Sequence, residues 1–232
     1  MKWPSPATEP EWPTEITNLQ AKNEVAKRLA NRLRDGDIVG AGSGSTSFLT
    51  LRALHNRAAE ENLHFLAIPT SIEVAMACAS WGIETTELYK DRPDWSFDGA
   101  DEVDPGKRLI KGRGGALFSE KILMAASPEP YIVVDKTKLV SRLGSRHPIP
   151  VEVDPLAVVY IINELRSFKA ITDVKIRTGQ GKDGPVITER GNLLIDLSCE
   201  DVPDGLHSSV KLLPGVLETG IFENYQFELI VA

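Results

Sequence analysis

One short stretch of the chain concentrates carboxylates, lysines and glycines. Its first part, Trp95–Asp104 (WSFDGADEVD), carries Asp98 and Asp101, and its second part, Lys111–Lys121 (KGRGGALFSEK), carries Glu120. A carboxylate can move a proton while a nearby ammonium or backbone amide holds developing negative charge. This composition therefore suits proton transfer on a small anionic substrate. A solvated run of charge usually lacks such glycines and short apolar strands.

The two aspartates enclose Gly99 and Ala100 at the end of a predicted strand. A tight turn there would place both carboxylates on the ligand side, close enough to perturb each other's pKa. The alternative is an Asx-type turn that only satisfies backbone groups. Glu102 and Asp104 are predicted to be turn or surface residues.

The glycine loop that begins at Lys111 and continues through Gly112, Arg113 and Gly114 leads into a helix whose first turn carries Glu120. The N–H groups of the loop can stabilise an oxyanion, and Lys111 adds a full positive charge. Glu120 is then a candidate general base. The alternative is a solvent-facing Glu that only complements the helix dipole.

A second glycine-rich turn, GSGST, follows the first predicted strand and contains Ser43, Gly44, Ser45 and Thr46. At the carboxyl edge of a parallel sheet, such a turn at a helix N-terminus can bind a phosphate. It matches neither the dinucleotide motif nor a Walker A loop, and a plain tight turn is the alternative. Lys138 follows another strand and could grip a phosphate, although a solvated surface lysine is the usual case.

Composition excludes several classes of protein. The chain has 232 residues, 42% hydrophobic and 25% charged, and a formal net charge of −7, which argues against a general nucleic-acid binder. Cys78 and Cys199 are far apart and are expected to be reduced, and the four histidines lack metal-ligand spacing. We find no secretory signal and no apolar run long enough to span a bilayer, so we expect a cytoplasmic protein.

The order of predicted elements indicates two domains. Strands alternate with helices up to residue 134, which is typical of an α/β domain with an open, mostly parallel sheet. The predicted helices there are 16–33, a second helix that follows the turn 42–46 and runs through residue 54, then 71–81 and 117–126. The predicted strands are 37–41, 64–69, 83–88, 95–98 and 131–134.

After Pro148 the order becomes β-α-β-β-α-β, as in a ferredoxin-like α+β unit. The predicted strands are 149–153, 171–177, 186–197 (interrupted at Gly191) and 216–222, with helices 156–168 and 206–213. A last strand, 226–231, is expected to return to the first sheet. We thus expect an α/β domain over 15–146 plus 223–232, a ferredoxin-like domain over 147–222, and an irregular extension over 1–14, with Trp3 or Trp12 packed on the body or a partner.

The motifs together resemble the type A ribose-5-phosphate isomerase family. The similarity is carried by 40–46 (GAGSGST), 68–71 (IPTS), 98–103 (DGADEV), 111–121, 148–153 (PIPVEV), 184–196 and 213–222. It covers nearly all of the chain after about residue 22, in order. The family's fold, an open α/β domain plus a ferredoxin-like domain, agrees with the organisation above.

The resemblance implies a role for each matching residue. Glu120 would be the proton acceptor, while Asp98 and Asp101 would bind sugar hydroxyls, aid ring opening and move protons between oxygens. The segment 111–114 would hold the substrate and the developing oxyanion. The turn 43–46 would cradle the phosphate, with Lys138 and Lys22 neutralising it. The resemblance further implies no metal or organic cofactor, a sugar-phosphate substrate, and a homodimer or homotetramer.

Two departures and several alternatives bear on this interpretation. Arg113 stands where the family usually has glycine, and Phe118-Ser119 replaces a threonine-led pair, so the substrate could be another sugar phosphate. A non-catalytic sugar-phosphate sensor is an alternative, but no DNA-binding helix pair precedes residue 37 and Glu120 is present. An amino-sugar phosphate deaminase would need a histidine in its loops, which we do not find; a CoA transferase is a further fold relative.

Overall fold

A computed structural model describes residues 10–12, 14–179, 181 and 183–232. Most of the predicted N-terminal extension, including Trp3, lies outside these residues. Trp12 is described, and its ring centroid lies 5.6 Å from that of Phe48. The expected packing of Trp12 on the body of the protein is therefore confirmed.

The chain divides into two compact units. Unit 1 holds the described residues up to Gly99, together with Ile122–Lys136 and Gln226–Ala232, and unit 2 holds Ala100–Lys121 and Thr137–Tyr225. Residues 100–121 and 137–146, which the sequence analysis assigned to the α/β domain, thus group with unit 2. The reason is that the strands of 102–110 pair with each other and with a strand near residue 221.

Unit 1 is an α/β unit around a six-stranded sheet in which every described pairing is parallel. Its helices are α1 (Leu19–Ala30), α2 (Ser45–Glu61) and α3 (Ile72–Trp81), and its strands are β1 (Ile38–Ala41), β2 (Leu66–Pro69), β3 (Glu84–Thr85), β4 (Trp95–Asp98), β7 (Pro130–Val134) and β13 (Glu228–Val231). The order is β13-β7-β4-β1-β2-β3. The mostly parallel sheet and the return of the last strand to it are both confirmed.

Local sequence explains these elements well. The Ser71 hydroxyl accepts a hydrogen bond from the Val74 N–H and caps α3, and Gly82 ends that helix in the left-handed conformation. The central strands β1 and β4 are short, largely buried apolar runs, as expected for strands covered on both faces. Because the strands are parallel, the segments after β1, β4 and β7 all leave from the carboxyl edge of this sheet.

Unit 2 contains a four-stranded antiparallel sheet and a small three-stranded one. The elements of unit 2 are β5 (Glu102–Val103), β6 (Leu109–Ile110), β8 (Ile149–Val153), α5 (Val158–Arg166), β9 (Ile171–Ile176), β10 (Leu193–Cys199), α6 (Leu206–Lys211), β11 (Val216–Thr219) and β12 (Ile221–Phe222). The larger sheet has the order β11-β8-β10-β9, and the smaller has the order β12-β6-β5. The helix α4 (Leu117–Ala126) groups with unit 2 through Lys121 and with unit 1 from Ile122.

The β8-α5-β9-β10-α6-β11 order and the strand order of the larger sheet are those of a ferredoxin-like unit, so the predicted fold class is confirmed. One face of this sheet packs on α5 and α6 through side chains such as Val151 and Ile195. Alternation along the strands places Glu152, Leu194 and Asp196 on the opposite face.

Several predicted boundaries were wrong. The strand predicted over 186–197 begins only at Leu193, after a turn at Gly191. The strand predicted over 216–222 is divided at Gly220, where a Cβ atom would lie 2.3 Å from the Lys111 carbonyl oxygen. The helix predicted to end at Leu54 continues to Glu61, since no glycine or proline stops it before Asn62.

Within the described residues, none of the helices is both long enough and apolar enough to cross a lipid bilayer.

Candidate active-site residues

The glycine-rich turn in unit 1 joins β1 to α2 at the carboxyl edge of the sheet. Gly44 has φ of 90° and ψ of 170°, a conformation that a residue with a Cβ rarely adopts, and it stands at the N-cap of α2 without a side-chain cap. The first N–H groups of α2 therefore lack the usual capping hydroxyl or carboxylate. Ser43, Ser45 and Thr46 are half-buried around them, which is an arrangement that suits an anion.

Lys22 brings a buried positive charge to this turn. Its Nζ lies 3.2 Å from Ser45 Oγ and 3.7 Å from Asp135 Oδ2, and the side chains of Lys22 and Asp135 are only 5% and 4% exposed. Asp135 directly follows β7, so two strand ends and α1 meet at this point. Lys22 was among the predicted phosphate-binding residues, whereas Asp135 was not, although its place directly after a strand was a usable signal.

Asp98 ends β4 and lies directly against the same turn. A Cβ atom at Gly42 would lie 2.2 Å from Asp98 Cγ, so only glycine permits this approach. Asp98 Oδ1 accepts hydrogen bonds from the Gly99 N–H at 2.7 Å and from Ser47 Oγ at 3.5 Å. The side chain thus bonds a backbone amide, as the Asx alternative required, and is also buried beside the turn.

Asp101 belongs to unit 2, where it contacts the second glycine loop. Its Oδ2 accepts a hydrogen bond from the Arg113 N–H at 3.2 Å, and its Oδ1 lies 3.9 Å from Arg113 Nε. The Arg113 side chain is 71% exposed. The structure therefore brings Asp101 and the loop together, with the arginine that departs from the family pattern at their rim.

Lys111 and Glu120 form a buried ion pair in unit 2. The distance from Lys111 Nζ to Glu120 Oε2 is 3.2 Å, and each side chain is 4% exposed. The ammonium also lies 5.6 Å from the centre of the Phe222 ring. Glu120 is thus not the solvent-facing residue of the alternative interpretation. Burying both charges is costly unless they are paired, so this geometry is unusual for a residue with no role beyond capping a dipole.

The backbone of the second glycine loop is folded tightly in front of α4. Gly112 has φ of 98°, and a Cβ atom there would lie 2.8 Å from Leu117 Cβ. The Gly115 N–H donates to the Gly112 carbonyl oxygen at 3.1 Å. Glycine is required at Gly112 for both its φ and its contact, which the sequence pattern indicated without revealing the reason.

Lys121, next to Glu120 on α4, is buried at the face of the ferredoxin-like sheet that lies opposite α5 and α6. Its Nζ donates to Glu218 Oε1 at 2.9 Å and to the carbonyl oxygens of Thr219 and Ile221 at 2.7 and 2.8 Å. Burial lowers the pKa of Lys121 to about 8. Lys121 therefore ties the N-terminal half of α4 to the segment that joins β11 to β12. No role was predicted for it, because Glu218 is 97 residues away in the chain.

Two other predictions have mixed outcomes. Glu102, predicted to be a turn or surface residue, is fully buried, and its carboxylate accepts hydrogen bonds from the N–H groups of Gly144, Arg146 and His147. That prediction was wrong, because the partners of the carboxylate lie more than forty residues away. Asp104 does bond within a turn, to the Arg108 backbone and guanidinium, although it is buried.

The remaining predicted residues are described as follows. Lys138 ends a short 3-10 turn after β7 and is half-buried, while Gly99, Ala100 and Gly114 lie in the segments after β4 and β6. Among the described residues, no group of three or more His, Cys, Asp or Glu side chains is arranged to hold a metal ion. Unit 1 thus groups Lys22, Ser43–Thr46 and Asp98, and unit 2 groups Asp101, Lys111–Gly114 and Glu120.

Comparison with known proteins defines the class to which these features belong. Residues 66–232 match the family of ribose 5-phosphate isomerase A (phosphoriboisomerase A). The ribose-5-phosphate isomerase A of Methanothermobacter thermautotrophicus is 41% identical over 206 residues, covering 88% of this chain and 90% of the relative. That of Thermosynechococcus vestitus is 39% identical over 209 residues and covers 88% of each.

Solved structures agree. The ribose 5-phosphate isomerase A of Methanocaldococcus jannaschii superposes with a TM-score of 0.87 at 39% identity, covering 93% of this chain and 95% of that one. A D-ribose-5-phosphate isomerase in complex with phospho-erythronic acid superposes with a TM-score of 0.88 at 35% identity over the same shares. The chain belongs to the ribose 5-phosphate isomerase A family.

Proposed function

We propose that this chain is an aldose–ketose isomerase that interconverts D-ribose 5-phosphate and D-ribulose 5-phosphate. The observation that carries the proposal is the buried Lys111–Glu120 pair, whose two residues stand on either side of the second glycine loop in a member of this family. The relative whose structure contains phospho-erythronic acid supports a sugar-phosphate ligand, since that molecule combines a phosphate with a hydroxylated acid.

In the proposed reaction Glu120 removes the proton from C2 of the opened aldose. The electrons of the C–H bond form the enediolate, and the same carboxyl group returns the proton to C1. One carboxylate can serve both carbons because they are adjacent, so its position matters more than its strength.

Lys111 and the loop amides through Gly114 would hold the charge that develops on the substrate oxygens. Lys111 is suited to this role because its ammonium already lies 3.2 Å from the Glu120 carboxylate. Asp98 and Asp101 would bind sugar hydroxyls, aid ring opening and move protons between oxygens. No metal or organic cofactor is needed for any of these steps.

The phosphate would be held by the turn that contains Ser43, Gly44, Ser45 and Thr46, with Lys22 and Lys138 neutralising its charge. The uncapped N-terminus of α2 and the 3.2 Å contact of Lys22 with Ser45 support this assignment. Lys138 is supported by its place after β7 and by the resemblance.

A coupled assay on ribose 5-phosphate tests the proposal. We expect turnover with ribose 5-phosphate and little with unphosphorylated ribose or with other pentose phosphates. In D2O, proton NMR should show solvent deuterium entering C2 of the substrate pool. Tight binding of ribose 5-phosphate without turnover or exchange would instead favour a sugar-phosphate sensor.

We further propose that the protein works in the cytoplasm as a homodimer or homotetramer and binds neither nucleic acid nor membrane. Its net charge of −7 supports the first of these exclusions. The exposed apolar side chains of Leu156, Val159 and Leu212 offer surface for self-association. Analytical ultracentrifugation at several concentrations tests the oligomeric state.

A further inference from the structure

Arg177, just after β9, contacts the second glycine loop from the ferredoxin-like sheet. Its Nη1 donates to the carbonyl oxygens of Gly112 at 3.1 Å and of Arg113 at 2.8 Å. No role was predicted for Arg177, since it is 64 positions from Arg113 in the chain. All of these residues belong to unit 2.

A carboxylate fixes the plane of this guanidinium. Arg177 Nε donates to Asp196 Oδ2 at 2.8 Å, and Nη2 donates to Asp196 Oδ1, which makes the pair bidentate. Asp196 stands on β10, and the Arg177 N–H also donates to Leu194 on that strand at 2.8 Å. A bidentate pair anchored on two hydrogen-bonded strands leaves the remaining guanidinium nitrogen with little freedom of direction.

Fixing two carbonyl oxygens also fixes two N–H groups. A peptide bond is planar, and in its trans form the C=O and the following N–H point in opposite directions. When Arg177 holds the Gly112 and Arg113 oxygens, the N–H groups of Arg113 and Gly114 must point away from the sheet. The first of these two N–H groups does donate to Asp101, at 3.2 Å.

We propose that Arg177, held by Asp196, is a positioning residue that orients the N–H groups of Arg113 and Gly114 for the reaction. It does not touch the substrate; it acts through the loop. This inference rests on the proposed isomerase function for its catalytic meaning. Arginine suits the task because its planar guanidinium bonds both oxygens of the Asp196 carboxylate and, from another nitrogen, two carbonyl oxygens in a fixed direction. The ammonium of lysine donates from a single nitrogen that rotates freely and cannot form this bidentate pair.

The test compares Arg177→Ala with a matched variant elsewhere. Arg57 also pairs bidentately with a carboxylate, Glu61, and donates to a backbone carbonyl, Ala30 at 2.6 Å, but it lies on α2 away from the proposed machinery. We expect Arg177→Ala to lower kcat about 10²-fold while KM changes less than about threefold. The reason is that a misplaced loop N–H group weakens the stabilisation of the transition state more than it weakens substrate binding. Arg57→Ala should leave kcat unchanged.

Chemical rescue separates positioning from a purely structural role. Millimolar methylguanidinium should restore kcat of Arg177→Ala at least about tenfold by occupying the vacated position beside Asp196. If the alanine variant unfolds at the assay temperature, Arg177→Lys replaces it, with a smaller loss of kcat expected because lysine keeps the positive charge and can still donate to a loop carbonyl, although it lacks the planar fork. A folded Arg177 variant with kcat within twofold of wild type would overturn the inference.

Hydrogen exchange tests the orientation independently of turnover. The amides of Arg113 and Gly114 should exchange faster in Arg177→Ala than in wild type, since the Arg113 N–H loses its fixed bond to Asp101. If wild type fails to turn over ribose 5-phosphate, the proposed function fails, and this comparison still decides the inference. Unchanged exchange at both amides overturns it, and faster exchange supports it.

Discussion

Replacement of Glu120 by glutamine is the sharpest test of the site. Glutamine has almost the same shape and keeps an oxygen that can accept from Lys111, but it cannot accept the C2 proton. Loss of a general base costs about 10²–10⁴-fold in rate. That range corresponds to about 3–5 kcal/mol in the activation barrier. Ribose 5-phosphate should still bind, because the groups assigned to the phosphate are untouched.

The same change also affects stability, and the structure sets the scale. Both side chains of the Lys111–Glu120 pair are 4% exposed, so the substitution removes one negative charge that stabilises a buried ammonium. Breaking such a pair costs about 3–5 kcal/mol, and the retained oxygen favours the lower end. At about 2–4 °C per kcal/mol for a protein of this size, the melting temperature should fall about 6–12 °C.

The assay therefore measures kcat and KM at 25 °C alongside a thermal melt, with Glu61→Gln as the control. Glu61 pairs with Arg57 on α2, and its side chain is 52% exposed, so its loss should change neither kcat nor the melting temperature measurably. Near-wild-type kcat in a folded Glu120→Gln protein would refute the assignment of Glu120 as the base. If Glu120→Gln lowered kcat and weakened the binding of ribose 5-phosphate to a similar degree, the assignment of proton transfer and of substrate binding to different residues would be refuted.

Three further changes probe other parts of the site. Lys138→Ala should raise KM for ribose 5-phosphate about tenfold with little change in kcat, in keeping with a lost phosphate contact; an unchanged KM would discard that role. Gly42→Ala would place a Cβ atom 2.2 Å from Asp98 Cγ, so we expect at least about a tenfold loss of kcat/KM from the displaced carboxylate, and a fully active variant would contradict it. Burial lowers the pKa of Lys121 from 10.5 to about 8, so between these pH values the unfolded chain binds a proton that the folded chain lacks. The free energy of unfolding should then rise with pH across that window, by up to about 1.4 kcal/mol per pH unit, relative to Lys121→Met. Urea denaturation at pH 7, 8.5 and 10 measures this, and a constant difference between the two proteins would show that the lysine is not desolvated.

Local signals along the chain were enough to predict the type of most helices and strands. The strands 95–98 and 149–153 and the helix 117–126 were predicted with the bounds that the structure shows. Each is a short apolar or amphipathic run with turn residues at its ends. The ferredoxin-like order also follows from the sequence, since it is an order of elements along the chain.

The pairing of the charged groups, in contrast, could be seen only in the folded chain. Glu102 bonds three amides around residue 145, Lys121 bonds Glu218, and Arg177 bonds the loop at Gly112. A hydrogen bond or ion pair between residues forty to a hundred positions apart leaves no pattern in the local sequence. Such a contact depends on how the strands pair and on which face of a sheet a loop covers. The residues of the proposed site could therefore be predicted from the sequence. The residues that position them, such as Arg177 and Lys121, could be identified only from the folded structure.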